Sequence, residues 1–211
     1  MSNVHAVDHP LVRHHLTKLR DKATSPFEFR QLVGRLSTLL AYEATNDLEI
    51  EDVGIETPVT AMVGQQLVGR IGLVPILRAG LGMVDPLLNL LPSAEVWHLG
   101  LYRDEQTAQP VRYYDKLPPS RPVDVGIVVD PMLATGGSAA AALETLKNWG
   151  VQRLKLLSII AAPEGIAAVE AAFPDTQVYV CSIDAKLNDQ KFIVPGLGDA
   201  GDRLFNTLGQ D

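Results

Sequence analysis

The chain has 211 residues, 46% of them hydrophobic and 20% charged, with a formal net charge of −7 at pH 7. That length suits one large α/β domain or two small ones, and the composition can bury a sizeable core. The acidic balance argues against a general nucleic-acid binder, which needs a surplus of Lys and Arg, but allows a small anion held by a few local cations.

The opening MSNVHAVDHPLVRHH lacks the apolar core of a signal peptide. No apolar run approaches the roughly 18 residues that span a bilayer, so no membrane association is expected. The lone Cys181 cannot form an internal disulfide, which points to a reducing, cytoplasmic setting. It sits in VYVCSI with no acid/base signature around it and reads as a packed core thiol, not a nucleophile.

About the first 50 residues read as a helical arm. HPLVRHHLTKLRD carries Leu11, Val12, Leu16 and Leu19 at helical spacing, with Pro10 suited to a first turn. Ser25-Pro26 looks like an N-cap and first-turn proline opening PFEFRQLVGRLSTLLAYEAT. His5, His9, His14 and His15 cluster here, but Pro10 interrupts their spacing, and a solvated helix explains them better than a metal site.

From Arg70 the pattern changes to short β-branched or Leu-rich runs. IGLVPIL (71–77) ends in a turn tipped by Arg78, whose paired donors suit phosphate oxygens. The helical GLGMVDPLLNLL follows, then the run EVWHLGL (95–101), where His98 suits a core or interface position. Residues 102–123 carry charges, prolines and three tyrosines but no long helical pattern. A connection this long is usually functional or itself a hairpin, and it reads as a hairpin-like flap over an active site, with a subunit contact as the alternative. Arg103 stands at its foot, with Arg112 and Lys116 farther along, cations able to close over a charged leaving group. A solvated charged loop is the plainer reading of Arg112 and Lys116.

DVGIVV (124–129) runs into Asp130 at a predicted strand end, where ligands of open parallel sheets collect. Pro131, Met132 and Leu133 lead on to Ala134, Thr135, Gly136, Gly137 and Ser138, which open the helix GSAAAALETLKNWG. Helix-start amides and the positive end of the helix dipole favour an anion there. The two glycines permit close backbone approach, and Thr135 and Ser138 add hydroxyl donors. An ordinary capped helix is the plain alternative. Gly150 stops that helix, and KLLSIIAA (155–162), PEGIAAVEAAF and QVYVCSI (177–183) continue the alternation. Strands alternating with helices define an α/β chain with a parallel-rich sheet flanked by helices on both faces. No internal repeat or linker breaks 1–211, so a single domain is expected.

Near the C-terminus, GLGDAG (196–201) matches GxGxxG formally, yet only ten residues follow it, too few for a dinucleotide-binding unit. Its glycines and proline around an acid suggest a loop with exposed amides and carbonyls, able to read a flat polar ring by its edges.

Together these pieces resemble the uracil phosphoribosyltransferases. VVDPMLATGGS is similar to that family's loop for phosphoribosyl pyrophosphate (PRPP), and PILRAGLGM to its pyrophosphate loop. YEAT (42–45), AAPEGI (161–166), PGLGDAGDR (195–203) and the N-terminal HPLVRHHLTKLRD also stand as in the family, and PGLGDAGDR is the part that points to uracil. The resemblance implies a type I phosphoribosyltransferase fold that forms UMP and pyrophosphate from uracil and PRPP with Mg2+. It implies that Arg78 and Arg103 hold the pyrophosphate, Asp130 faces the ribose hydroxyls and Ala134–Ser138 cradle the 5′-phosphate, so that Asp130 through Ser138 form the PRPP loop. It further implies that Ile193, Gly198 and Ala200 bond uracil through backbone groups, in a base segment of about 184–211. Asp199 would lie between base and PRPP and assist the loss of a proton from uracil. A homo-oligomer, dimer or larger, and regulation by GTP in some members are implied as well.

The sequence departs from the family at three places: Phe192-Ile193 replaces Tyr-Ile, LNDQKF (187–192) replaces a Leu-Asn-Glu pattern, and FNT (205–207) replaces Phe-Gly-Thr. The competing expectations are a pyrimidine-responsive regulator that binds nucleotide and RNA on the same scaffold, and a transferase for another base. The acidic balance speaks against the first and the C-terminal loop against the second.

Overall fold

A computed structural model describes residues 3–103, 110–115, 117–118 and 120–207, and of residues 101–103 and 110–115 it describes the backbone alone. The chain begins with a three-residue strand, β1 (Val4–Ala6), before the helices α1 (Pro10–Arg20) and α2 (Pro26–Ala44). Both helices start as their sequences dictate. His9 caps α1, its Nδ1 accepting from the Leu11 amide at 3.1 Å. Ser25 caps α2, its Oγ accepting from the Glu28 amide at 3.3 Å.

Next come β2 (Ile50–Glu56) and β3 (Ala61–Leu67), then β4 (Ile71–Pro75), α3 (Leu81–Leu90), β5 (Glu95–Val96), β6 (Leu99–Arg103) and β7 (Pro110–Asp115). The C-terminal half supplies β8 (Val125–Val129), β9 (Met132–Leu133), α4 (Gly137–Trp149), β10 (Arg153–Ala161), α5 (Pro163–Ala172) and β11 (Gln177–Ile183). It ends with β12 (Lys186–Leu187), β13 (Ile193–Val194) and α6 (Ala200–Phe205).

The main sheet has the order β1-β11-β10-β8-β4-β5, with β9 also on β10, and every ladder in it is parallel. Side chains alternate between its faces. Ile127 and Val129 join the core under α1, α2, α3 and α6, whereas Val128 joins the core under α4 and α5. Burial on both faces explains why β4 and β8 are wholly buried apolar runs. The parallel sheet, its flanking helices and the N-terminal helices are those of the type I phosphoribosyltransferase fold.

The sequence-based boundaries need correcting in four places. The N-terminal arm contains β1, which joins the sheet edge through Val4↔Val178, a pairing no local pattern could reveal. EVWHLGL is not one strand: β5 stops at Val96, His98 is exposed, and Leu99 begins β6. Residues 50–67, left without an assignment by periodicity, form the β2–β3 hairpin. Its turn is organised by Thr57, whose hydroxyl accepts from the Val59 and Thr60 amides at 3.2 and 3.0 Å. The tiny β12–β13 hairpin was hidden within the C-terminal segment. The expected flap does contain an antiparallel hairpin, β6–β7, although it starts at Leu99; Lys116 lies outside the described residues.

Candidate active site

The carboxyl ends of four neighbouring strands, β11, β10, β8 and β4, build one edge of the molecule. The turns after β4 and β8 touch because those strands pair directly, Pro75 opposite Val129. The Ile76 amide donates to the Val129 carbonyl at 3.0 Å, and the turn 76–80 folds back through Gly80 N–H to Ile76 O at 2.9 Å. A side chain at Gly80 would place its Cβ 2.5 Å from the Val129 carbonyl, so only glycine lets this turn lie against β8. The Leu77–Arg78 peptide is cis.

Pro131 has no amide to donate, and the β8 ladder breaks there. Its carbonyl accepts from both the Ile159 and Ile160 amides at 3.0 Å, which sends β9 alongside β10 and leaves Asp130 at the mouth of the turn. Residues 130 and 132–139 enclose a small cavity of about 50 Å3. Its far wall is the start of α4, where Gly136 takes φ +83. The turn is braced by α5: a Cβ at Gly165 would sit 2.4 Å from the Ala134 carbonyl. This contact gives AAPEGI a role that its sequence did not disclose. Glu164, beside it, accepts from the Leu187 amide at 3.0 Å and ties α5 to β12.

Asp130 accepts from the Met132 amide at 3.4 Å. Burial pushes its carboxyl up to about 7, and the charge of Asp199 adds to the rise. The carboxylate of Asp199 in the base segment is thus within electrostatic reach of the β8 turn. One Asp199 oxygen caps α6, accepting from the Asp202 amide at 2.9 Å.

Arg78 reaches α6. Its guanidinium donates to Asp202 Oδ1 at 3.1 Å and to Thr207 Oγ1 at 3.4 Å, while Thr207 donates to the same Asp202 oxygen at 2.7 Å. The Thr207 hydroxyl, and with it Arg78, holds the Asp202 carboxyl below its ordinary range. Arg103 ends β6; its side chain and that of Arg112 lie outside the described residues. Cys181 is half-buried and packs against the core, as a packing thiol would, and burial pushes it up to about 12.

The base segment leaves β11 at Asp184, makes the β12–β13 hairpin and turns through a cis Val194–Pro195 bond. Ile193 is buried in β13, Gly198 takes φ +80, and Ala200 is buried at the start of α6. Asn206 stands at the α6 C-cap with φ +54. Asn tolerates this left-handed position better than other non-glycine residues, which accounts for Asn replacing Gly in FNT.

Two turns on adjacent carboxyl ends of a parallel sheet, one opening a helix, with a glycine-rich loop nearby, define an α/β protein with the geometry suited to a phosphorylated ligand. A family model for uracil phosphoribosyltransferase matches residues 6–207. The uracil phosphoribosyltransferase of Roseiflexus castenholzii is 58% identical over 207 residues, covering 98% of this chain and 100% of that protein. That of Geobacillus kaustophilus is 54% identical over 208 residues with the same coverage. The AQ2163 protein from Aquifex aeolicus has the same fold, with a TM-score of 0.91 at 36% identity over 97% of this chain and 98% of its own. The chain belongs to the uracil phosphoribosyltransferase family.

Proposed function

We propose that this protein transfers the phosphoribosyl group of PRPP to uracil, forming UMP and pyrophosphate in pyrimidine salvage. Family membership over residues 6–207, with PGLGDAGDR intact, carries this reading. The 5′-phosphate lies on Ala134–Ser138 at the α4 N-terminus, and Asp130 accepts from the ribose hydroxyls. The departing pyrophosphate draws on Arg78 and Arg103, donors already in place as negative charge develops. Uracil is bonded by backbone groups of Ile193, Gly198 and Ala200. Such a fixed donor and acceptor pattern rejects cytosine, whose reversed edge would leave buried polar groups unpaired. Asp199 assists loss of the uracil proton, directly or through water.

Mg2+ belongs to the same reading. Asp130 feels the charge of Asp199, and carboxylates of this kind suit a hard cation that would arrive mainly on PRPP oxygens and neutralise the leaving group. A homo-oligomer is supported by the β2–β3 hairpin, which exposes Val59, Met62, Val63 and Leu67. No helix among the described residues is long and apolar enough to cross a membrane. A cytoplasmic setting and a GTP effector complete the reading, the latter tested by assaying turnover with and without GTP.

The test is a base panel with PRPP and Mg2+, following pyrophosphate release. Turnover with uracil and not with cytosine or purines is expected; turnover with a purine alone would overturn the assignment of the base segment.

A further inference from the structure

Among the described residues the loop 195–203 pairs with no strand of the main sheet, and side chains hold its backbone. At residues 196 and 197 two guanidinium groups hold it. Arg20, the last residue of α1, donates through one nitrogen to Asp184 Oδ2 at 2.7 Å and to the Gly196 carbonyl at 2.6 Å. Its other terminal nitrogen donates to Asp184 Oδ1 at 2.5 Å and to Ser182 Oγ at 3.2 Å. Asp184, its side chain 1% exposed, in turn accepts from the Gly196 amide at 2.9 Å. The buried pair thus captures both backbone groups of one glycine. A Cβ at that glycine would fall 2.1 Å from the Ile193 carbonyl, which shows how tightly the loop is wound there.

Arg203 completes the clamp from the other side. It donates to the Leu197 carbonyl at 2.8 Å and to the α1 carbonyls of Leu19 and, just past the helix, Asp21, at 2.8 and 2.6 Å. Its guanidinium lies 4.3 Å from the centre of the Phe29 ring. Residues 198–200 are therefore bracketed between anchors at 196–197 and 203, both referred to the last turn of α1.

We propose that Arg20 and Asp184 are positioning residues for base recognition, holding the backbone of residues 196–200 in the one geometry that pairs with uracil. This inference rests on the base segment reading above. A backbone site has no side chain that can adjust, so its selectivity depends on the placement of the loop itself. Lysine is no substitute at position 20, because a point charge cannot bridge two carboxylate oxygens, a hydroxyl and a carbonyl as the planar fork does.

Two variants test this. Arg20→Lys keeps the charge and loses the fork. The double variant Arg20→Met/Asp184→Leu removes the clamp and leaves no lone buried charge, a replacement that folded proteins commonly tolerate. In both, the thermal shift induced by PRPP and Mg2+ is expected to persist and the KM for PRPP to hold. The KM for uracil should rise roughly tenfold to a hundredfold, the scale of a misplaced binding group, and the preference for uracil over cytosine should fall. A uracil KM within twofold of the parent in both variants would overturn the inference. So would loss of the PRPP thermal shift in both, which would make the pair a general structural support. Failure of the parent enzyme to use uracil at all would instead overturn the assigned reaction.

Discussion

The turn at 134–138 and the loop at 195–203 are both glycine-rich, yet they are held in opposite ways. The first is contiguous with its own strand and its own helix, and backbone packing against Gly165 closes it. The second hangs beyond the last strands of the chain and is fixed by side chains: Arg20 from distant α1, Asp184 from the end of β11, and its own Arg203. Under the proposed function the first turn meets a phosphate common to every phosphoribosyl donor, for which a self-contained backbone cradle suffices. The second would discriminate among similar rings, and its support is a separate set of side chains.

The largest expected effect comes from Arg78, which ties the turn after β4 to the second region through Asp202 and the nearby Thr207. Arg78→Ala should lower kcat/KM for PRPP by about a hundredfold to a thousandfold, as for other donors to developing charge. The melting temperature should change little, since this ion pair is largely exposed. Steady-state pyrophosphate release measures the first, and unchanged kinetics would remove Arg78 from the leaving-group site.

Asp130→Asn comes next and separates function from stability. The carboxyl sits at about 7 in the fold against an ordinary 3.8. The unfolded chain therefore ionises first as pH rises, and wild-type stability falls between those values and stays lowered above them. The Asn variant should melt like the wild type below the lower value, increasingly higher as pH rises between the two values, and higher by a constant margin above 7, while losing PRPP affinity. For the wild type, PRPP KM should improve as pH rises through about 7, a limb absent from the variant. Melting curves and KM across pH check both signs; a variant that melts lower at alkaline pH would refute the buried cost.

Gly165→Ala tests whether the phosphate cradle is self-contained. Its new methyl would meet the Ala134 carbonyl, so the turn must shift. A destabilisation of about 1–3 kcal/mol is expected, as for overpacked sites, with PRPP KM raised and uracil KM kept. An equal rise in both KM values would show that the two regions move together.

Phe192→Tyr should matter least. Phe192 is 44% exposed beside Ile193, and restoring the family's hydroxyl should move uracil KM by less than about threefold, the weight of one exposed hydrogen bond. A larger gain would mean that the phenol reaches the base.

Local patterns determined much of this molecule. Helix starts at Pro10 and Pro26, the stop at Gly150, and the apolar runs of β4, β8, β10 and β11 follow from residues within a few positions of one another. The turns after β4 and β8 were legible for the same reason, since each is a contiguous run from strand to helix. Tertiary structure decided what needs distant partners: the pairing of β4 with β8 that joins Arg78 to Asp130, the edge strand β1, the raised Asp130 carboxyl, and the α1 clamp on the base segment. Periodicity and capping act over one or two turns of chain. Strand order, burial of a charge and a guanidinium bridging 176 positions to Gly196 exist only once the core has closed.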